Sequence, residues 1–262
     1  MKYLYYIILG VISYLIGNIS SARIVAKHNH GDITKHGSGN PGTLNTWRAF
    51  GFWAGVITFL LDMLKGVIPT LAVYFVFQGK YFPNSYFIIS DFAIYLCGFC
   101  VVMGHIYPIV FKFKGGKGIA STIGVFLVCE SVYGIEWAVI IIMALVAALV
   151  FIYLTEFGAM GSFIAITPPA IGSLIRLFNV YGNFKFAVAP ATTTVYVITN
   201  SLVFAICFFT WFAHRHNIER MLSGDEHPTS IKEMVVKMKA KKALKSQEDK
   251  NNQKSELADK KN

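Results

Sequence analysis

The chain has 262 residues, of which 55% are hydrophobic and only 15% charged, and its mean hydropathy is +0.52. A soluble domain carries about 25% charged residues, so this composition points to the bilayer as the solvent. The net charge is +10, but half of the 24 Lys and Arg residues follow Ala213, which puts the basicity in a tail and argues against a nucleic-acid-binding face.

A membrane-spanning helix needs about 20 mostly apolar residues, fewer where it is buried among others. Seven segments qualify: 3–27, 53–77, 87–111, 119–133, 137–154, 158–178 and 194–213. The fourth is the shortest. The fold expected is therefore all-α, a polytopic integral membrane protein of about seven transmembrane helices. The first segment is longer than a signal-peptide core and lacks a small-residue cleavage site, so it is expected to stay in the mature protein. Seven crossings gather Lys27, Lys35, Arg48, Lys112, Lys114, Lys117 and the basic tail on one side, leaving little more than Lys2, Lys80 and Lys185 opposite. By the positive-inside rule the N-terminus is expected outside and the C-terminus in the cytoplasm. Residues 1–213 read as the transmembrane domain and 214–262 as a basic cytoplasmic tail. No internal repeat is evident.

Cys97, Cys100, Cys129 and Cys207 all lie in apolar runs, where they pack as small hydrophobes. Cys97 and Cys100 have the spacing of a redox motif but no βαβ context, so no redox role is expected. From His227 onward the chain lacks aromatics and is crowded with charged and amide side chains, and its distal part is expected to be disordered. Within it, Ile231, Met234, Val235 and Met238 recur at helical spacing opposite lysines, the pattern of a helix lying on an anionic membrane surface.

Three polar segments fall on the side read as cytoplasmic. The first, 31–51, holds Gly37, Gly39 and Gly42, which let backbone N–H groups approach a ligand, and offers Ser38, Asn40, Asn45 and Arg48 as short polar groups and a planar cation. A turn-rich connector would use the same Asn and Gly residues. The second is "FKFKGGKG", where Gly115, Gly116 and Gly118 precede a helix and, with Lys114 and Lys117, make an anion site at its first N–H groups. Lysines snorkelling at a membrane edge would explain Lys112 and Lys114 but not the glycines. The Walker A spacing is absent. His105, at a span end, reads as an interior hydrogen-bonded histidine more than as a catalyst. The third segment is "HRHNIERMLSGDE", in which His214, Asn217 and Arg220 recur at helical spacing and Glu226 follows Gly224 to anchor a turn. Together they imply a phosphorylated substrate met at the lipid interface.

"HGSGNPGTLNTWRAFG", "GHIYPIVFKFKGGKGIA" and "HRHNIERMLSGDE", with "LLDMLKG" between the first two, closely resemble the signature segments of the bacterial membrane acyl-phosphate:glycerol-3-phosphate acyltransferases. The resemblance implies a seven-span enzyme of the bacterial plasma membrane. It would make lysophosphatidic acid and inorganic phosphate from a fatty acyl phosphate and glycerol 3-phosphate, the first step of phospholipid synthesis. The resemblance also implies that neither coenzyme A nor acyl carrier protein is the direct donor; no cofactor and no metal are expected, membrane lipids surround the chain, and a monomer is the expected assembly. Carried over by position, Ser38, His214 and Asn217 are the expected catalytic residues. Asn40, Asn45, Arg48, Lys114, Gly115, Gly116, Lys117 and Gly118 are expected to bind substrate, and Glu226 is structural. Departures are Ser20 where a Pro is usual, "GTLN" for "GATN", and "YLTEFGAMGS", which lacks the usual serine pattern and leaves Thr155 or Ser162 as substitutes.

An acyl phosphate is a mixed anhydride with a good leaving group, so positioning and charge stabilisation can carry most of the rate. The glycerol hydroxyl must still lose its proton, to His214 or to a substrate phosphate oxygen. The soluble-type His-x-x-x-x-Asp motif does not occur, and no metal-ligand spacing is present. A transporter of organic phosphate is the competing class. It would place charges at midspan on broken helices, whereas the spans here hold few central charges. A membrane anchor displaying the basic tail would leave both glycine loops unexplained.

Overall fold

The computed structural model describes residues 4–80, 89–183, 190–224, 233, 235–236 and 239–240. Among them are ten α-helices and no strand: α1 (Leu4–Gly17), α2 (Ser21–His28), α3 (Thr43–Phe50), α4 (Phe52–Phe77), α5 (Ile89–Ile106), α6 (Ile119–Cys129), α7 (Ile135–Thr155), α8 (Gly158–Asn183), α9 (Pro190–Phe212) and α10 (Arg215–Ser223). Five stretches are long and apolar enough to cross a membrane, or six if α9 and α10, bent by 52° at their junction, count as one. The apolar segment at 119–133 divides into α6 and a single 3-10 turn at Ser131–Tyr133. At 11 residues, α6 is about 16 Å long, roughly half a hydrocarbon core. The basic pattern around Met238 and the turn residue Glu226 lie outside the described residues.

The first apolar segment is not one straight helix. Asn18 bends its side-chain amide back to the Tyr14 carbonyl at 2.6 Å, a local hydrogen bond that competes with helix continuation. The backbone then leaves helical geometry, with Ser20 extended at the start of α2. The break leaves the Ile19 carbonyl free to accept a bond from elsewhere.

Glycines decide which helices touch. A Cβ on Gly17 would meet the Val101 carbonyl, and one on Gly104 would meet the Tyr14 carbonyl, so α1 and α5 cross with their backbones in contact. Gly66 and Gly124 do the same for α4 and α6, against Ser121 O and Met63 O respectively. In lipid the apolar effect barely distinguishes helix from tail, and such small-residue contacts supply the packing instead. The buried core runs along α5 and α6 with α9 behind them, through Tyr95, Val101, Val102, Ile123, Phe126 and Ile206. The lipid-facing sides of α1, α4 and α7 carry exposed Ile, Leu, Val and Phe.

Gly66→Ala is expected to lower stability by about 1–3 kcal/mol, the range for overpacking, because the methyl group would strike the Ser121 carbonyl, which is backbone and cannot swing away. Gly10→Ala is the matched control, since a methyl there sits 3.4 Å from Cys100 Sγ in ordinary contact. Thermal unfolding in one detergent compares the two; equal midpoints for both variants would show that the α4–α6 contact tolerates the methyl.

Candidate active site

The loop between α2 and α4 is built around one amide. Asn45, on α3 and 3% exposed, donates from Nδ2 to the carbonyls of His36 (2.9 Å), Asn40 (3.1 Å) and Ile33 (3.4 Å), and its Oδ1 accepts from Ser38 N at 3.3 Å. This side chain, expected to touch substrate, instead ties the loop to itself. Gly37 and Gly39 have φ of +53° and +68°, left-handed conformations that let the chain wrap around the amide. The result holds Ser38 exposed at the loop surface, its Oγ accepting from Asn40 N at 3.4 Å. Arg48 lies on α3, also exposed.

The loop after α5 is folded against that helix's end. Lys112 and Phe113 both have positive φ, 53° and 60°, an uncommon pair for residues with side chains. Gly116 N donates to the His105 carbonyl at 3.1 Å. A Cβ on Gly116 would meet His105 Nε2 and the Pro41 carbonyl, and one on Gly115 would meet the His105 carbonyl and Pro108. These glycines are therefore required where the second polar loop closes on the first. Gly118, with φ of +86°, turns the chain into α6. Lys114 is exposed and its carbonyl accepts from Arg23 Nη2 at 3.1 Å.

The third segment joins from the other side of the bundle. Lys117 Nζ donates to Asn217 Oδ1 at 2.6 Å across 100 residues of sequence. His214, 2% exposed at the α9–α10 junction, has Nδ1 at 2.8 Å from the Thr210 carbonyl. A carbonyl can only accept, so Nδ1 carries the proton and Nε2 is left as an acceptor. Burial, reinforced by the Lys117 ammonium and opposed by the Thr210 bond, pushes this imidazole down to about 4. Phe163 of α8 packs edge-on to the ring at 5.7 Å. The serine substitutes are occupied elsewhere: Thr155 and Ser162 donate to the carbonyls of Phe151 and Gly158, one turn back in their own helices.

One cluster was touched by sequence reasoning only as the matching segment "LLDMLKG", with no role read for its charges. Asp62 and Lys65, 2% and 8% exposed, form a 2.7 Å salt bridge in the middle of α4. Ser21 Oγ donates to Asp62 at 2.7 Å, and Lys65 donates to the orphan Ile19 carbonyl at 2.9 Å. The ammonium also lies 2.6 Å from His105 Nδ1. The pair thus locks the α1–α2 break, α4 and the end of α5 together. Its signal was in plain view, since two charges three residues apart in an apolar span mark a functional or structural site by default. Arg23 was missed as well; its guanidinium stacks 4.1 Å over Phe111.

The glycerol-3-phosphate acyltransferase family model matches residues 7–224. A glycerol-3-phosphate acyltransferase of Clostridioides difficile is 35% identical over 227 residues, covering 86% of this chain and 96% of that protein. One of Finegoldia magna is 32% identical over 227 residues, covering 86% and 97%. Among solved structures, the glycerol 3-phosphate form of PlsY (YgiH), an integral membrane glycerol 3-phosphate acyltransferase, is similar with a TM-score of 0.60 at 26% identity, covering 88% of this chain and 98% of that one. Its lysophosphatidic acid form gives 0.59 at 26% identity, covering 88% and 99%. Polar loops meeting at one end of an apolar helical bundle, and relatives aligned across nearly their whole length, lead to one conclusion: the chain belongs to the membrane glycerol-3-phosphate acyltransferase family.

Proposed function

We propose that the protein moves a fatty acyl group from an acyl phosphate to the 1-hydroxyl of glycerol 3-phosphate, giving lysophosphatidic acid and inorganic phosphate. The observation that carries this reading is the meeting of three polar segments: Gly116 lies against Pro41, and Lys117 bonds Asn217. Two phosphate-bearing substrates need several N–H donors and cations in one place, held before the substrates arrive. The glycerol oxygen attacks the acyl carbonyl, the bond from that carbon to the phosphate oxygen breaks, and inorganic phosphate departs with the electron pair.

In this reading Ser38, Asn40 and Arg48 handle one anionic group, while Lys114, Lys117 and the backbone at Gly115, Gly116 and Gly118 handle the other. Asn45 shapes the first loop. Asn217 orients Lys117. His214, neutral across the physiological range, is a weak base whose Nε2 can accept a hydrogen bond from the glycerol hydroxyl and orient it. The proton itself goes to a substrate phosphate oxygen, the stronger acceptor of the two.

The topology that suits this chemistry has seven crossings, with α6 as the short one, the N-terminus outside, and the polar loops and residues 214–262 in the cytoplasm. There water-soluble glycerol 3-phosphate meets a lipidic donor at the inner face of a bacterial plasma membrane. The unit is a single chain, with residues 1–213 as the membrane domain. An impermeant thiol reagent applied to intact cells should label neither Ser38→Cys nor Lys114→Cys in a background without the native cysteines, and label both after lysis. Labelling of both in intact cells would invert the topology.

Purified protein given acyl phosphate and glycerol 3-phosphate should release inorganic phosphate in step with lysophosphatidic acid, whereas a transporter would release none. Ser38→Ala and His214→Asn should each lower kcat/KM by about 10²-fold or more. The acid limb of the wild-type profile should lie near the titration of a phosphate monoester, about 6, because protonating that phosphate removes the acceptor. It should persist in the residual activity of His214→Asn. A limb that disappears in that variant would make the imidazole the base after all.

The depressed His214 value carries a stability consequence of definite sign. An unfolded imidazole titrates at 6.5 and the folded one at about 4, so between those values the unfolded chain binds the extra proton. Stability should fall as pH drops through that window, and denaturation midpoints of His214→Asn should show a shallower slope there. Parallel slopes for the two proteins would place the acid sensitivity in other groups.

A further inference from the structure

The stretch 117–122, where the glycine loop runs into α6, bonds the α9–α10 junction on either side of His214. Lys117 Nζ donates to Asn217, three residues after the histidine, at 2.6 Å. Thr122 Oγ1 lies 3.2 Å from Oγ1 of Thr210, four residues before it, and both threonines are fully buried. The direction of this second bond is fixed. Thr210 Oγ1 donates to the Ile206 carbonyl at 2.7 Å, and a hydroxyl has a single proton, so Thr122 is the donor and Thr210 the acceptor. The buried Thr46, Thr58 and Thr70 spend their protons as Thr210 does, on a carbonyl four residues back. Thr122 instead reaches a neighbouring helix, the kind of hydroxyl contact that ties helices together in lipid.

What Thr210 does for His214 follows from the way α9 ends. In a continuing α-helix the His214 N–H would take the Thr210 carbonyl. Here it bonds the Trp211 carbonyl at 2.8 Å, and the Thr210 carbonyl is left for the ring Nδ1–H, also at 2.8 Å. One carbonyl can therefore serve the backbone or the imidazole, and its choice decides which ring nitrogen carries the proton. Phe163 packs edge-on against the imidazole from α8. Thr122 holds the residue that owns the carbonyl from the side of α6.

We infer that Thr122 is a positioning residue for the acyl transfer: its bond to Thr210 fixes the end of α9 so that the Thr210 carbonyl keeps His214 in the Nδ1–H form, with Nε2 as the acceptor for the glycerol hydroxyl. The inference rests on the acyltransferase reading for what Nε2 meets, whereas the tautomer is a property of the chain alone. Because Thr122 and the glycine loop lie on one stretch of chain, the imidazole is placed relative to the loop it works beside. Valine has the shape of threonine without the hydroxyl proton, and Thr210 keeps its own acceptor at Ile206, so Thr122→Val removes this one bond and leaves no buried donor unpaired.

The test uses the full chain in detergent, with thermal unfolding as the check on folding. Thr122→Val should lower kcat about tenfold while the KM values for acyl phosphate and glycerol 3-phosphate stay within about twofold, and Thr122→Ser, which keeps the hydroxyl, should recover most of the loss. In His214→Asn protein the same substitution should change kcat by no more than about twofold, because the group it positions is gone. Thr70→Val, which deletes a buried hydroxyl whose bonds run within α4, should leave kcat within about twofold of the wild type. Nitrogen-15 spectra of histidine-labelled protein, with the His214 signals identified by their loss in His214→Asn, should show a protonated Nδ1 in the wild type and a mixture of tautomers in Thr122→Val. A folded Thr122→Val with kcat within about twofold of the wild type overturns the proposal, as does an unchanged tautomer or an equal loss of kcat with and without His214. Should Thr122→Val fail to fold, Thr210→Val is judged by the same measurements, and a wild-type His214 protonated on Nε2 overturns the proposal without any variant. If the wild type releases no phosphate from the donor while the tautomer still becomes mixed in Thr122→Val, the acyltransferase reading fails and the positioning of His214 stands.

Discussion

Contact between glycine and a neighbouring helix's carbonyl is the constraint on which the arrangement depends. Where Gly17 meets Gly104, α1 is held at the level at which its helical geometry breaks, beside the end of α5. Where Gly66 meets Ser121 and Val125, α4 is held so that its charged pair, Asp62 one turn earlier and Lys65 next to the glycine, reaches both the break and His105. Neither crossing could be made by leucines, because a lipid-soluble chain gains little from burying apolar surface against other apolar surface. The glycines thus do for this bundle what a hydrophobic core does for a soluble one, and they do it at the depth where the polar loops close.

Electrostatics then follow from geometry. The Lys65 ammonium would be a severe burden in an apolar span, yet each of its protons has an acceptor: a carboxylate, a helix-end carbonyl and an imidazole nitrogen. Removing one partner of such a buried set is far more damaging than the set's net contribution to stability. The network is close to neutral, so the positive character of this end of the molecule comes from groups at its edge: Arg23, Lys114 and Lys117. That division, with charge balanced inside and cations left at the rim, suits the proposed substrates, both of which bring phosphate.

The three polar segments, the glycines within them and the helical class could be read from the sequence because each is a local signal: composition, a run of apolar residues, or a glycine before a helix. What could not be read were relations across the chain. Asn45 looks like a ligand-facing amide until its three acceptors, 5 to 12 residues away, are seen to surround it. The partnership of Lys65 with Ile19 spans 46 residues, and no periodicity encodes it. The break at Asn18 was hidden because the polar Asn18, Ser20 and Ser21 are outweighed by the apolar run before them, which leaves Leu4–His28 apolar enough to read as one span. His105 was weighed as an interior histidine, which it is; its second nitrogen, facing Gly116, is what the sequence did not reveal. The span pattern marked α6 as the shortest segment but could not show how far short of a bilayer its helix stops.

That short helix changes how the bundle comes together. Eight of its residues are buried, from Ala120 through Phe126 and at Cys129, so what holds α6 in place is protein on nearly every side and not acyl chains. A stretch of about 16 Å gains too little from lipid to enter a bilayer as an independent unit. Its docking site is the surface that α4 and α5 make once they are paired, notched by Gly66 and Gly98, the latter seating Val125. Insertion of α6 is therefore a late event in biogenesis, conditional on helices that precede it in the chain. Since α6 begins at the glycine loop, the face on which the polar loops meet is completed only when that event is over.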